Sequence, residues 1–192
     1  GNAADYDHWD RYLGQGSGWS WHDMLPHFTA LEGNDHLGGP LHGTDGPLKV
    51  SHLGRHDLVS QAFVKALQTL GYPYNPDFNG GRQRGVGFMQ HTIDGATRRR
   101  CNAVDAFLWA VIDDPRLTLV TDASATGLVV EDGRATGVRY MHGGVEHVAH
   151  ASAEVILTAG AYVTPKLLML SGIGPEAQLR AHGYTLGHFP QS

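Results

Sequence analysis

The stretch Val155-Ile156-Leu157-Thr158-Ala159-Gly160-Ala161-Tyr162-Val163-Thr164-Pro165-Lys166-Leu167-Leu168-Met169-Leu170-Ser171-Gly172-Ile173-Gly174 decides how the rest of the chain is read. Its apolar run Val155 to Leu157 predicts a strand buried on both faces, and Gly160 follows where the backbone must turn sharply or approach another group closely. Thr164 predicts a helix N-cap with Pro165 at the first helical position, where a missing N–H removes no intrahelical bond. Gly172 then ends that helix. Strand, glycine turn and helix N-terminus in succession can hold a nucleotide, because free N–H groups and the helix dipole favour an anion there.

Immediately upstream the pattern is β-rich. Leu117–Thr121, Thr126–Val130 and Ala135–Tyr140 predict three short strands, the last two joined by Glu131-Asp132-Gly133-Arg134, and Val145–His150 adds a fourth after His142-Gly143-Gly144. Together they make a meander leading into the buried strand of residues 154–158. Downstream, Pro175 to Gly183 reads as a short helix with proline at its start and glycine at its end.

The first half is helical and loop-rich. Tyr6, Trp9 and Leu13 have helical spacing with Asp5 as a candidate cap, and Gly14-Gln15-Gly16-Ser17-Gly18 breaks that helix. This glycine run follows a helix rather than a strand and has the wrong spacing for a dinucleotide fingerprint, so it reads as a turn. Ser20–Leu31 predicts a second helix with Trp21, Leu25, Phe28 and Leu31 on one side, and the aromatics of both helices read as core residues. Residues 33–47 form a glycine-rich loop, and Leu48-Lys49-Val50 a short strand. The clearest helix runs from Asp57 to Leu70, with Leu58, Val59, Ala62, Phe63, Ala66, Leu67 and Leu70 in one apolar stripe and Gly71 and Pro73 as its stop. Gly85–Ile93 reads as a strand of a sheet, and Asn102 with Asp105 three residues later starts a helix that buries Val104, Phe107, Leu108, Val111 and Ile112.

Composition sets outer bounds. At 192 residues and 41% apolar content the chain makes one domain or parts of two, and its 26 glycines, about twice the average share, argue against a helical bundle. The net charge of −5 argues against a nucleic-acid binder. Arg82, Arg84, Arg98, Arg99 and Arg100 read as a solvated basic face, with phosphate contact as the other reading. The lone Cys101 forms no internal disulfide and reads as inert, which makes a reducing cytoplasm the expected location. No run is long and apolar enough to cross a bilayer. His52 with His56, and His147 with His150, lack a third ligand at a recognisable spacing, so no metal site is expected among the 13 histidines.

Gly160-Ala161, Thr164-Pro165, Leu167-Leu168-Met169-Leu170 and Ser171-Gly172-Ile173-Gly174 together resemble the second signature of the glucose-methanol-choline family of FAD-dependent oxidoreductases. Tyr6-Asp7-His8-Trp9, Gly18-Trp19-Ser20-Trp21, Leu25-Pro26 and Phe28 are similar to a segment of its choline-dehydrogenase-like members. His42-Gly43-Thr44-Asp45-Gly46-Pro47-Leu48, Asp77-Phe78-Asn79-Gly80 and the Arg99–Leu108 region also fit, with Asn102 where the family usually has serine.

The resemblance implies a mixed α/β (α+β) fold containing part of an FAD-binding domain of glutathione-reductase-like type, with its β-meander, and part of a substrate-binding α+β domain. It divides the chain into a segment beside the flavin (1–47), part of the substrate domain (48–101), part of the FAD domain (102–174) and the start of a return to the substrate domain (175–192). It implies FAD as cofactor, held through Ala125, Thr158, Ala159, Gly160 and Ala161, with Ala125 at the position where the family, commonly with valine, binds the adenine through its backbone. The implied reaction is oxidation of a primary or secondary alcohol by hydride transfer to the flavin, with a small-molecule alcohol as the partner. The N-terminal GxGxxG unit and the C-terminal catalytic histidine are expected in missing parts of the same protein, so no catalytic residue is assigned here and the isolated chain is expected to be inactive. The alternative is a non-catalytic α+β binding or structural module that has lost the flavin.

Overall fold

The computed structural model describes residues 2–185. The chain forms two compact units, Gly1–Leu117 and Thr118–Ser192, and its mixed helices and sheets agree with the expected α/β class.

In the first unit, α1 spans Ala3–Leu13 and α2 spans Trp21–Leu31. The N-cap of α1 is Asn2, not Asp5. Asp5 stands at the third helical position and closes a reciprocal capping box with Asn2. Ser20 caps α2 by accepting the Asp23 N–H. The glycine run between them is a turn wound around Asp10, whose buried carboxylate accepts the N–H groups of Gly16 and Ser17 and the Ser17 hydroxyl. Tyr6, Trp21 and Phe28 form one aromatic cluster with ring centroids 5.4–6.3 Å apart. Trp9 and Trp19, expected in the core, are exposed, because nothing among the described residues covers them.

Strand β1 (Glu32–Asn34) pairs in parallel with β2 (Leu48–Val50), so the start of the expected loop is in fact a strand. Helix α3 spans Leu58–Thr69 with Asp57 as N-cap, and it ends in a Schellman motif in which Gly71 donates to Gln68 and Tyr72 to Leu67. The predicted stripe is not the buried face: Leu58, Val59, Phe63 and Leu70 are exposed, and the buried residue of the helix is Val64, which the stripe did not include. Gly85–Ile93 is not a continuous strand. Val86 bridges to Tyr74 and His91 to Ser51, so the segment's pairing is divided between two neighbours, and Gly87 leaves no room for a side chain against the Asn75 carbonyl. Asn102 and Asp105 close the predicted capping box, but the segment continues as a single π turn (Val104–Leu108) and a 3₁₀ turn (Trp109–Val111) with Val104, Phe107 and Val111 exposed.

The second unit is built on an antiparallel meander of β3 (Ala123–Glu131), β4 (Arg134–His142) and β5 (Val145–His150). Asp132 and Gly133 turn the first hairpin with positive φ, as their residue types favour. Helix α4 (Gly160–Leu170) packs on β3 and α5 (Glu176–Ala181) follows, each ending in a glycine Schellman motif, at Gly172 and Gly183. Two predicted strands are not formed: Leu117–Thr121 and Val155–Leu157 are coil, with Leu119 and Ile156 exposed. Their β-rich composition favours extended chain, but a strand exists only when a neighbour takes its N–H and C=O groups, and no described residue does so.

Candidate functional site

The predicted site residues fall in the second unit, on β3 and on the approach to and first turn of α4; α4 packs on β3, with the hydrogen-bonded tie between them at its C-terminal end. Ala125 lies on β3, exposed and paired with Tyr140 of β4, directly before a bulge at Thr126. Thr158 and Ala159 lead into α4, and Gly160 and Ala161 form its first turn, all four exposed.

Gly160 takes φ of 91°, a left-handed conformation that L side chains rarely adopt, where the chain passes from the coil of residues 154–158 into the helix. The helix therefore begins five residues before the predicted Pro165 start. Thr164 is not the N-cap; it lies one turn inside, where its Oγ1 accepts the Ala159 N–H at 3.1 Å. Pro165 sits in the helix interior and forgoes one intrahelical hydrogen bond. Ala159 is the N-cap residue and makes no side-chain cap, so among the described residues the first-turn N–H groups at the positive end of the dipole have no side-chain acceptor. A Cβ built on Gly160 meets no atom within 4 Å. Open backbone, unclaimed donors and a positive dipole end suit an anionic nucleotide.

The C-terminal end of α4 does different work. Ser171 Oγ accepts the Leu128 N–H at 2.7 Å and donates to the Leu167 carbonyl at 2.7 Å, tying β3 to the helix. This link was not legible in sequence, where Ser171 is only part of a stop signal. A cleft of about 520 Å³ beside it, with Arg139, Ser171 and Gly172 in its wall, contains none of the predicted site residues. It lies about 15 Å along α4 from Gly160, at 1.5 Å per residue.

The remaining candidates belong to the first unit. Arg98 adopts a left-handed φ of 59° and its Nη1 donates to the His52 carbonyl, which makes it a tie within the loop. Cys101 is buried, with its sulfur accepting the Lys49 N–H. Among the described residues no cluster of His, Cys, Asp and Glu is arranged to hold a metal ion, and no helix is long and apolar enough to cross a membrane.

Residues 1–188 match the family model for GMC oxidoreductase. The chain is 40% identical over 191 residues to "Alcohol dehydrogenase [acceptor]" of Pseudomonas putida, covering 98% of this chain and 34% of that protein. It is 40% identical over 183 residues to the oxygen-dependent choline dehydrogenase of Rhizobium johnstonii, covering 95% of this chain and 32% of that one. Among solved structures, pyridoxine 4-oxidase from Mesorbium loti superposes with a TM-score of 0.85 at 31% identity over 98% of this chain and 37% of its own. An FAD-dependent oxidoreductase from Chaetomium thermophilum gives 0.86 at 28% identity over 97% of this chain and 34% of its own. The chain thus spans about a third of the length of the curated relatives it matches. With the signature at Gly160–Gly174 and a family match that runs through both units, the chain belongs to the GMC oxidoreductase family.

Proposed function

We propose that this chain is a section of an FAD-dependent oxidoreductase that converts a primary or secondary alcohol to an aldehyde or ketone. The observation that carries this reading is the family match across residues 1–188. In the reaction the alcohol carbon gives up a hydride and its hydroxyl a proton, and FAD, when bound, supplies the hydride acceptor.

The residues of this chain contribute binding and orientation. The first-turn N–H groups of α4 hold the anionic part of the nucleotide, and Gly160 keeps the backbone free of a side chain where the cofactor approaches. Ala125 contributes a backbone contact to the adenine, for which its small side chain suffices. Residues 102–174 belong to the FAD-binding part, 48–101 to the substrate-binding part, 1–47 to a segment beside the flavin, and 175–192 to the return towards the substrate part. The general base lies outside this sequence, so the isolated chain is inactive. The protein works in the cytoplasm, a reading supported by its single buried cysteine.

The test is a visible absorbance spectrum of the full-length source protein purified without added cofactor, followed by anaerobic addition of choline and simple primary alcohols. A flavin spectrum that bleaches with one of these alcohols is expected. A colourless protein that refuses added FAD would overturn the proposal in favour of a non-catalytic module.

A further inference from the structure

His42 lies on the glycine-rich loop of the first unit, with its side chain only 4% exposed and both ring nitrogens against carboxylates. Nδ1 is 3.0 Å from Glu32 Oε2 and 3.1 Å from Glu32 Oε1, and Nε2 is 2.9 Å from Asp77 Oδ2. An ionised carboxylate only accepts hydrogen bonds, so both contacts are satisfied only when both nitrogens carry hydrogen, which is the imidazolium form.

Each partner is anchored on a different piece of chain. Glu32 begins β1 and also accepts from Asn34 Nδ2 and the Gly43 N–H. Asp77 stands in a turn where its own N–H is taken by Asn75 Oδ1 and its Oδ1 accepts the Asn79 N–H. No other backbone or side-chain bond from the 38–47 loop reaches residues 75–81 among the described hydrogen bonds. The charged groups facing His42 are Glu32 from β1 and Asp77 from the turn; Lys49 on β2 is directed to the Gly46 carbonyl instead.

We infer that Glu32, His42 and Asp77 form a proton-dependent clamp, an imidazolium that fastens the 38–47 loop to the 75–81 turn and lets go when it loses its proton. Deprotonation points a nitrogen lone pair at one of the two carboxylates, turning an attraction into a repulsion at a ring that is itself largely shielded from water. Burial disfavours the charged ring, but the hydrogen bonds and charges of Asp77 and Glu32 outweigh it, so the proton is held above the ordinary histidine range. The inference stands independently of the proposed reaction.

The test is made on the full-length protein with its natural cofactor content. Hydrogen exchange at the imidazole C2 position, read peptide by peptide by mass spectrometry, gives the titration of His42 separately from the other histidines. Amide exchange over residues 38–47 and 75–81 is followed on the same samples from about pH 6 to about pH 10. The expected result is a His42 titration above the usual 6.5. From about pH 6.5 up to that titration, amide opening of both segments should grow by at most about tenfold per pH unit after correction for intrinsic exchange, and it should level off above it. Asp77→Asn should bring the His42 titration down, and His42→Gln should abolish the pH dependence of both segments. A His42 titration at or below 6.5, or segments whose opening does not follow it, overturns the clamp. The imidazole measurement on the unmodified protein decides the matter even where a variant fails to fold.

Discussion

Replacing Gly160 by alanine separates backbone strain from cofactor contact, because the molecule contains a matched control. Gly160 has φ of 91° and Gly71, which closes α3, has φ of 89°, and a Cβ at either position meets no atom within 4 Å. Neither substitution creates a clash within the described chain. Each forces an L side chain into the left-handed region at a cost of about 1–2 kcal/mol. That cost corresponds to a roughly 5–30-fold shift in a folding equilibrium, since about 1.4 kcal/mol is a factor of ten. The two variants of the full-length protein should therefore lose similar thermal stability. They should differ in flavin: the Gly160→Ala methyl occupies the space over the α4 turn where the nucleotide is proposed to lie, whereas Gly71 is in the other unit. The assay is the ratio of flavin to protein absorbance after extensive dialysis, with FAD titrated back into the stripped protein. Weaker FAD retention in Gly160→Ala alone is the expected result. Equal retention in both variants would refute the placement of the cofactor at this turn.

Ser171→Ala removes the acceptor of the buried Leu128 N–H and should destabilise the β3–α4 packing by about 1–3 kcal/mol, seen as faster amide exchange over residues 127–131 with α3 unaffected. Gly43→Ala would set a Cβ 1.8 Å from the Thr29 carbonyl oxygen and 2.7 Å from that of Glu32, so it should cost about 3 kcal/mol or more and lower the yield of folded protein; wild-type stability would contradict that close approach. Two histidines of the first unit act on stability with opposite signs. His42 is raised above 6.5, so its contribution is complete below that pH and is lost as pH rises through its folded value. His52 is lowered by burial and then by the charges of His36 and His56, so its contribution is present above 6.5 and is lost as pH falls through its folded value. Thermal unfolding across pH should show a maximum between the two titrations. His42→Gln should remove the fall on the alkaline side, and a curve unchanged by that variant would contradict the assignment.

Much of the local structure could be read residue by residue, because the physics that decides it acts over four or five positions. The helix starts at Ser20 and Asp57, the Asn102–Asp105 box and the glycine stops at 71, 172 and 183 appear where the residue types predict, whereas the caps expected at Asp5 and Thr164 fall on Asn2 and Ala159. The β3–β4–β5 meander also follows from alternation and its Asp132-Gly133 and Gly143-Gly144 turns. The family signature likewise lies within one continuous segment, which is why the membership was legible before any coordinate.

Tertiary structure decided what depends on distant partners. Leu117–Thr121 and Val155–Leu157 have the composition of strands yet stay unpaired, since composition expresses a preference for extended chain and pairing requires a neighbour that no described residue provides. Gly85–Ile93 is divided between two partners, Tyr74 and Ser51, that lie far from each other in sequence. The start of α4 was set by the left-handed turn at Gly160 rather than by the Thr164-Pro165 pair that local preference favours. Glu32, His42 and Asp77 are separated by 10 and 35 positions along the chain, and only the folded loop brings two carboxylates to one buried imidazole. Sequence alone determined which turns, caps and signature this protein carries, because those are local equilibria of the chain with itself; pairing, burial and the charge on His42 belong to groups that meet only after folding.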